Sequence, residues 1–154
     1  MAKEIERKFL VNGDSWREIA EGCVYCQGYI STQKTVTVRI RIAGNQGYLT
    51  IKGPSVKYSR SEFEYSIPVQ DAQEMIDTLC DRPLIEKTRY RIEFGGLTWE
   101  IDEFDGVNQG LIIAEVELSD EEQQIELPTW IGEEVSDDPK YFNSNLVKHP
   151  FSQW

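Results

Sequence analysis

Histidine occurs once in the 154 residues, as His149 beside Pro150, which leaves Ser-His-Asp arrangements and His-rich transition-metal sites almost nothing to build with. Any metal held by this chain is therefore expected to be held by oxygen. Cysteine is nearly as scarce. Cys23, Cys26 and Cys80 are an odd number, and no disulfide framework is expected of them. Cys23 and Cys26 form one Cys-x-x-Cys, but the second pair of a zinc site and the helix pattern of a redox motif are both missing. No apolar run approaches the ~20 residues that span a bilayer. The N-terminus carries charged residues where a signal peptide needs an apolar stretch, so a cytoplasmic protein with no membrane partner is expected. Basic residues are outnumbered 16 to 27, which disfavours holding duplex nucleic acid by broad surface charge. No Gly-x-x-x-x-Gly-Lys-Ser/Thr loop is present to cradle phosphates, and no obligate protein partner is predicted.

What the chain does have is alternation. Glu4-Ile5-Glu6-Arg7-Lys8 places Glu4, Glu6 and Lys8 on one face of a strand and Ile5, Arg7 and Phe9 on the other. Thr35 to Ile42 alternates Thr35, Thr37, Arg39 and Arg41 with Val36, Val38, Ile40 and Ile42. After a hairpin signal at 43–47, Tyr48 to Lys52 returns with Lys52 on the polar side. Ser61 to Ile67 puts Glu62, Glu64 and Ser66 opposite Phe63, Tyr65 and Ile67. Ile85 to Phe94 puts Lys87, Arg89 and Arg91 opposite Thr88, Tyr90 and Ile92. Leu97 to Phe104 sets Glu100 and Asp102 against Trp99 and Ile101, and Leu111 to Leu118 sets Glu115 and Glu117 against Ala114, Val116 and Leu118.

Between these strands, Val24 to Ser31 reads as a further strand, Thr32-Gln33-Lys34 as a turn and Asp14 to Ala20 as a short helix. Asp71 to Leu79, with Ala72, Met75, Ile76 and Leu79 at helical spacing, reads as an amphipathic helix that needs a sheet to cover. About 150 residues suit one domain. It would span 1–154, with strands over about 3–118 and a helical tail over about 119–154 lying outside them.

On a sandwich with its charged faces in water, the charges of each strand should be mixed. They are instead sorted into basic pairs and acidic pairs, although like charges two residues apart repel. A mainly β (α+β) fold accommodates this: a closed antiparallel eight-stranded β-barrel with a charged, hydrated interior and short helices packed outside. Arginine forks and lysines on several walls suit a chain of phosphates. Clustered carboxylates suit hard divalent cations such as Mg²⁺ or Mn²⁺. The two needs coincide in phosphoryl transfer.

These motifs carry a resemblance. Glu4-x-Glu6-x-Lys8, Arg39-x-Arg41, Lys52, Glu62-x-Glu64, Glu86-Lys87-Thr88-Arg89-Tyr90 and Glu115-x-Glu117 resemble, in order, the pattern of the CYTH superfamily, the triphosphate tunnel metalloenzymes. The tail Asp138 to Asn145 resembles the C-terminal segment of its bacterial members. The likeness is to small bacterial inorganic tripolyphosphatases.

The resemblance implies a metal-dependent triphosphatase, a phosphoanhydride hydrolase that releases pyrophosphate and orthophosphate from tripolyphosphate. It implies Glu4, Glu6, Glu117 and Glu115 as metal ligands and Lys8, Arg39, Arg41, Lys52 and Arg89 as phosphate ligands. Glu62, Glu64 and Asp102 are candidates for a second metal or for orienting basic side chains. Lys87 would position the attacking water or the terminal phosphate, and with Glu4 and Glu6 forms the catalytic set. A class IV-type adenylate cyclase, a thiamine or nucleoside triphosphatase, and a non-catalytic polyphosphate sensor are the alternatives on the same tunnel.

Overall fold

Alternation over most of the chain produces strands, and their register closes them into a ring. A computed structural model describes residues 3–33 and 35–154; Lys34 of the expected turn lies outside the described residues. The strands are β1 (Lys3–Val11), β2 (Gly22–Ile30), β3 (Thr37–Ala43), β4 (Gln46–Lys52), β5 (Ser59–Ile67), β6 (Ile85–Phe94), β7 (Leu97–Phe104), β8 (Ile112–Glu117) and β9 (Ile131–Glu134). The helices are α1 (Val69–Thr78) and α2 (Asn143–Lys148). The sheet runs β5-β4-β3-β2-β6-β7-β8-β1-β9, and a further β5–β1 pairing closes eight of the nine strands. Every neighbouring pair in the ring is antiparallel.

Closure is made by a short seam in which Lys3, Glu4 and Ile5 pair with Ser61, Arg60 and Ser59. Beyond it β1 passes the same edge to β9. The Glu6 N–H donates to the Tyr58 carbonyl at 3.1 Å, and the Lys8 carbonyl accepts from the Val135 N–H at 2.9 Å.

The apolar faces point outward and need cover. On β1, β6, β7 and β8 they form a core of Phe9, Ile92, Trp99, Ile101, Ala114 and Val116, closed by Trp16 and Trp130. Trp16 sits on a 3-10 turn, Ser15–Glu18, which stands where a short helix is expected, and its ring meets Tyr90 edge-on at 5.0 Å. Around β3 and β4 the cover is α1, whose Ala72 and Ile76 bury Ile40. The helix ends at Thr78, so Leu79, the last residue of the expected stripe, stays 57% exposed.

Gly47 sets how closely α1 can lie on β4, because a Cβ there would stand 2.9 Å from the Ala72 Cβ and 3.0 Å from the Ile67 carbonyl oxygen. Gly47→Ala is therefore expected to cost about 1–3 kcal/mol by overpacking and to lower the melting temperature by several degrees. An unchanged melt would show that α1 shifts freely.

The C-terminal segment departs from the expected helical tail outside the strands. It supplies β9, which lengthens the sheet beside β1, and then turns across one end of the barrel. There the inward face changes from charged to apolar, and Leu10, Ile85, Phe104 and Ile113 pack with Val135, Tyr141, Leu146 and Val147. The physical reason is continued alternation: Leu10 follows Lys8 and Ile113 precedes Glu115 on the same faces, so these side chains need an apolar stopper. Among the described residues, no helix is long and apolar enough to cross a membrane.

Candidate active site

Because the polar faces point inward, the ring brings distant charges together. Across β1 and β8, Glu6 stands opposite Glu117 and Lys8 opposite Glu115. Across β6 and β7, Arg89 stands opposite Asp102 and Arg91 opposite Glu100. Lys52 faces Glu62 across β4 and β5. The result is a cavity of about 600 Å³ lined by Glu4, Glu6, Lys8, Arg39, Arg41, Lys52, Glu62, Glu64, Lys87, Arg89, Glu115 and Glu117.

Asp102 is the one expected site residue that does not line it. Fully buried in the wall, its Oδ2 accepts from Lys87 Nζ at 2.7 Å and from an Arg89 Nη at 2.8 Å, and its Oδ1 accepts from Arg89 Nε at 2.7 Å. Of its two candidate roles, this geometry is that of orienting basic side chains. Glu115 is similarly committed to Lys8, whose Nζ lies 2.8 Å from it and 2.9 Å from Glu6. Lys52 bridges Glu4 at 2.9 Å and Glu62 at 3.3 Å. Glu64 is exposed at the rim.

The charges are not balanced evenly. Burial pushes Glu115 up, but Lys8, Arg89 and Lys87 more than offset this and hold it well below the usual carboxylate range. Glu6 and Glu117 go the other way. Burial raises Glu6, and Glu115 and Glu4 add to it against Lys8. Burial raises Glu117 as well, with Glu4, Glu6 and Glu100 adding to it. One corner of the cavity thus holds Glu4, Glu6 and Glu117 in mutual repulsion.

This corner has the chemistry of a hard-cation site. Its donors are all carboxylate oxygens, and a divalent cation would relieve the repulsion. Among the described residues no three such side chains stand together as a ready ligand set; Glu6 is paired with Lys8 and Glu4 with Lys52. The donor set fits a divalent cation once those pairs rearrange.

The opposite imbalance gathers around Arg39, Arg41 and Arg89. Burial and the neighbouring charges of Arg39 and Arg89 bring Arg41 down to about 10. Arg39 is 7% exposed, its Nη2 donates to Thr50 Oγ1 at 3.2 Å, and its buried Nε has no hydrogen-bond partner among the described residues. Buried N–H groups are nearly always paired, so Arg39 keeps a donor without an acceptor beside the cavity. Arg39→Ala is expected to raise KM for a triphosphate roughly 10- to 100-fold, given about 1.5–3 kcal/mol for a hydrogen bond to a charged group. Steady-state kinetics with kcat and KM both unchanged would remove Arg39 from the site.

Lys87 is a different kind of cation. It is 1% exposed, and burial brings its ammonium down to about 7, with Arg89 and Arg41 adding to the pull against Asp102. Its second partner is Asn143 Oδ1 at 2.9 Å, from the first turn of α2. Asn143 was not legible as a site residue, since nothing in its neighbourhood signals a contact with β6. Gln27 is likewise absent from the expected site residues. Wholly buried, it accepts from Arg41 Nε at 3.0 Å and donates to Tyr29 Oη at 2.8 Å. The alternation of Tyr25, Gln27 and Tyr29 along β2 was the available signal.

An antiparallel barrel with its polar face inward, cations and carboxylates sorted on its walls and one end stoppered by its own C-terminal segment defines a tunnel protein built for polyanions and cations. The chain belongs to the CYTH family: the CYTH domain matches residues 2–147. It is 53% identical over 154 residues to an inorganic triphosphatase of Acetivibrio thermocellus, covering 100% of this chain and 99% of that protein. It is 35% identical over 148 residues to an inorganic triphosphatase of Nitrosomonas europaea, covering 94% of this chain and 96% of that one. The crystal structure of the inorganic triphosphatase NE1496 matches with a TM-score of 0.65 at 33% identity, covering 96% of this chain and 95% of that chain.

Proposed function

We infer that the protein is an inorganic triphosphatase, which hydrolyses tripolyphosphate to pyrophosphate and orthophosphate inside the barrel and requires Mg²⁺ or Mn²⁺. The observation that carries this reading is the meeting of two zones in one cavity: the Arg39, Arg41 and Arg89 guanidiniums, of which Arg89 alone is paired with Asp102, and the carboxylates Glu4, Glu6 and Glu117, which repel one another although Lys52 pairs with Glu4 and Lys8 with Glu6. Phosphates suit the first and a divalent cation the second. The names of the relatives at 53% and 35% identity support the same substrate class.

In this reading Lys8, Arg39, Arg41, Lys52 and Arg89 bind and straighten the phosphate chain. Glu4, Glu6 and Glu117 would hold a divalent cation, which would supply charge neutralisation for the phosphate oxygens. Glu115 keeps Lys8 charged and in place, and Glu62 holds the Lys52 ammonium in position, with Glu64 at the rim. Asp102 fixes Arg89 and Lys87. With its ammonium brought down to about 7, Lys87 has a substantial neutral fraction at neutral pH. A neutral amine has two N–H bonds, which go to Asp102 and Asn143, and one lone pair left for a water. That water attacks the terminal phosphorus, its proton passes to Lys87 Nζ, the bridging P–O bond breaks, and pyrophosphate leaves.

The test is product identification by phosphorus NMR after incubation with tripolyphosphate or ATP. Equal amounts of orthophosphate and pyrophosphate from tripolyphosphate are expected. Cyclic AMP with pyrophosphate from ATP would make the protein a cyclase, and binding without turnover would make it a sensor.

A further inference from the structure

Tyr25 is buried in the tunnel wall at 6% exposure and has no part in the chemistry above. It lies on β2, the strand between β3 and β6, and those two neighbours carry Arg41 and Arg89. The guanidinium carbons of Arg41 and Arg89 stand 5.0 Å and 4.9 Å from the centre of its ring. Its hydroxyl accepts from an Arg91 Nη at 3.4 Å. One ring therefore serves two like-charged forks that face the same cavity.

Those two forks are unequally held. Arg89 makes two hydrogen bonds to Asp102 through Nε and Nη2. Arg41 has only the neutral Gln27 amide oxygen as a hydrogen-bond acceptor among those found for the described residues, and the nearby charges of Arg39 and Arg89 work against its own. A guanidinium in that position gains most from the negative face of an aromatic ring, an attraction that strengthens when the group is desolvated.

We propose that Tyr25 is a positioning residue of the triphosphate site, whose ring holds Arg41 and Arg89 as a preformed pair of phosphate ligands. The inference rests on the reading of those arginines as phosphate ligands. Preorganisation lowers the cost of ordering long side chains on binding, so the loss should appear chiefly in KM and in equilibrium affinity, with kcat much less affected. Tyr25 touches the arginines rather than the reacting atoms.

The test uses the full chain with inorganic tripolyphosphate, reading the dissociation constant by calorimetry and KM by phosphate release. Tyr25→Phe keeps the ring and is expected to stay within about twofold of the parent, whereas Tyr25→Leu removes the ring and is expected to weaken binding about tenfold. Because Leu also changes packing, the deciding variant is a trifluorinated phenylalanine at position 25, which keeps the shape and withdraws charge from the ring face. Its affinity is expected to fall about three- to tenfold below that of Tyr25→Phe, with the melting temperature unchanged. Equal affinity for Tyr25→Phe and the fluorinated ring would overturn the inference while leaving the arginine assignment intact. Failure of the parent protein to bind tripolyphosphate would instead overturn the arginine assignment on which the inference rests.

Discussion

Glu6→Gln is expected to lower kcat/KM for tripolyphosphate by roughly 10²–10³, the scale on which a single electrostatic stabiliser of a transition state acts, while leaving the fold as stable as before or more so. The two effects have one cause. Glu6 sits in a half-buried corner where partial burial and the charges of Glu115 and Glu4 work against its own, so a neutral amide of the same shape relieves the folded protein. Lys8 retains Glu115 as its partner and is not left unpaired. The same amide is a poorer ligand for a hard cation and leaves one charge fewer facing Glu117 across the β1–β8 ladder. Activity and melting temperature measured on one preparation test both halves. A large loss of stability would mean that Glu6 is structural, and retained activity would mean that the cation is held elsewhere.

Lys87→Met is expected to lower kcat by about 10²–10⁴, the range for removing a general base, and to change the shape of the pH profile. In the parent, Lys87 accepts a proton only when neutral, so kcat/KM should rise as pH rises through about 7 and then level off. In Lys87→Met that limb should disappear and leave a low, flatter profile. The fold should survive, because Asp102 keeps its two bonds to Arg89 and the Met chain fills the space of the Lys stem. The sign for stability follows from the same shift. Between about 7 and the ordinary lysine range the unfolded chain binds the additional proton, so this group makes the folded state more stable as pH rises there. A parent profile flat between pH 6 and 9 would deny Lys87 its proton-transfer role.

Much of this architecture is legible in the residues because the two faces of each strand differ so sharply. Arg39 and Arg41, Lys87 and Arg89, and Glu115 and Glu117 alternate with aliphatic residues, and like charges side by side are favourable only where a ligand of opposite charge or a facing wall compensates them. That argument gives the inward polar face, the closed ring and most of the charged side chains that line the cavity.

It does not give the interactions that depend on a partner far along the chain. β9 is four residues, Ile131–Glu134, too short and too acidic to announce itself; it forms because β1 has an edge left beyond its seam with β5. Asn143 reaches Lys87 only because the apolar stopper formed by Leu146 and Val147 seats α2 at the barrel end. Asp102 has the pattern of a ligand but meets Lys87 and Arg89 through β6–β7 register, which the alternation of a single strand cannot supply. Tyr25 reads as an ordinary strand aromatic until the strands on either side each bring an arginine to its ring.

Phosphate release by the purified protein from tripolyphosphate, ATP, thiamine triphosphate and pyrophosphate, each with Mg²⁺, Mn²⁺ or EDTA, tests the account most directly. Rapid release from tripolyphosphate with a divalent cation, abolished by EDTA and much slower from the other three, is the predicted result. Release unaffected by EDTA, or none from tripolyphosphate under any condition, would contradict it.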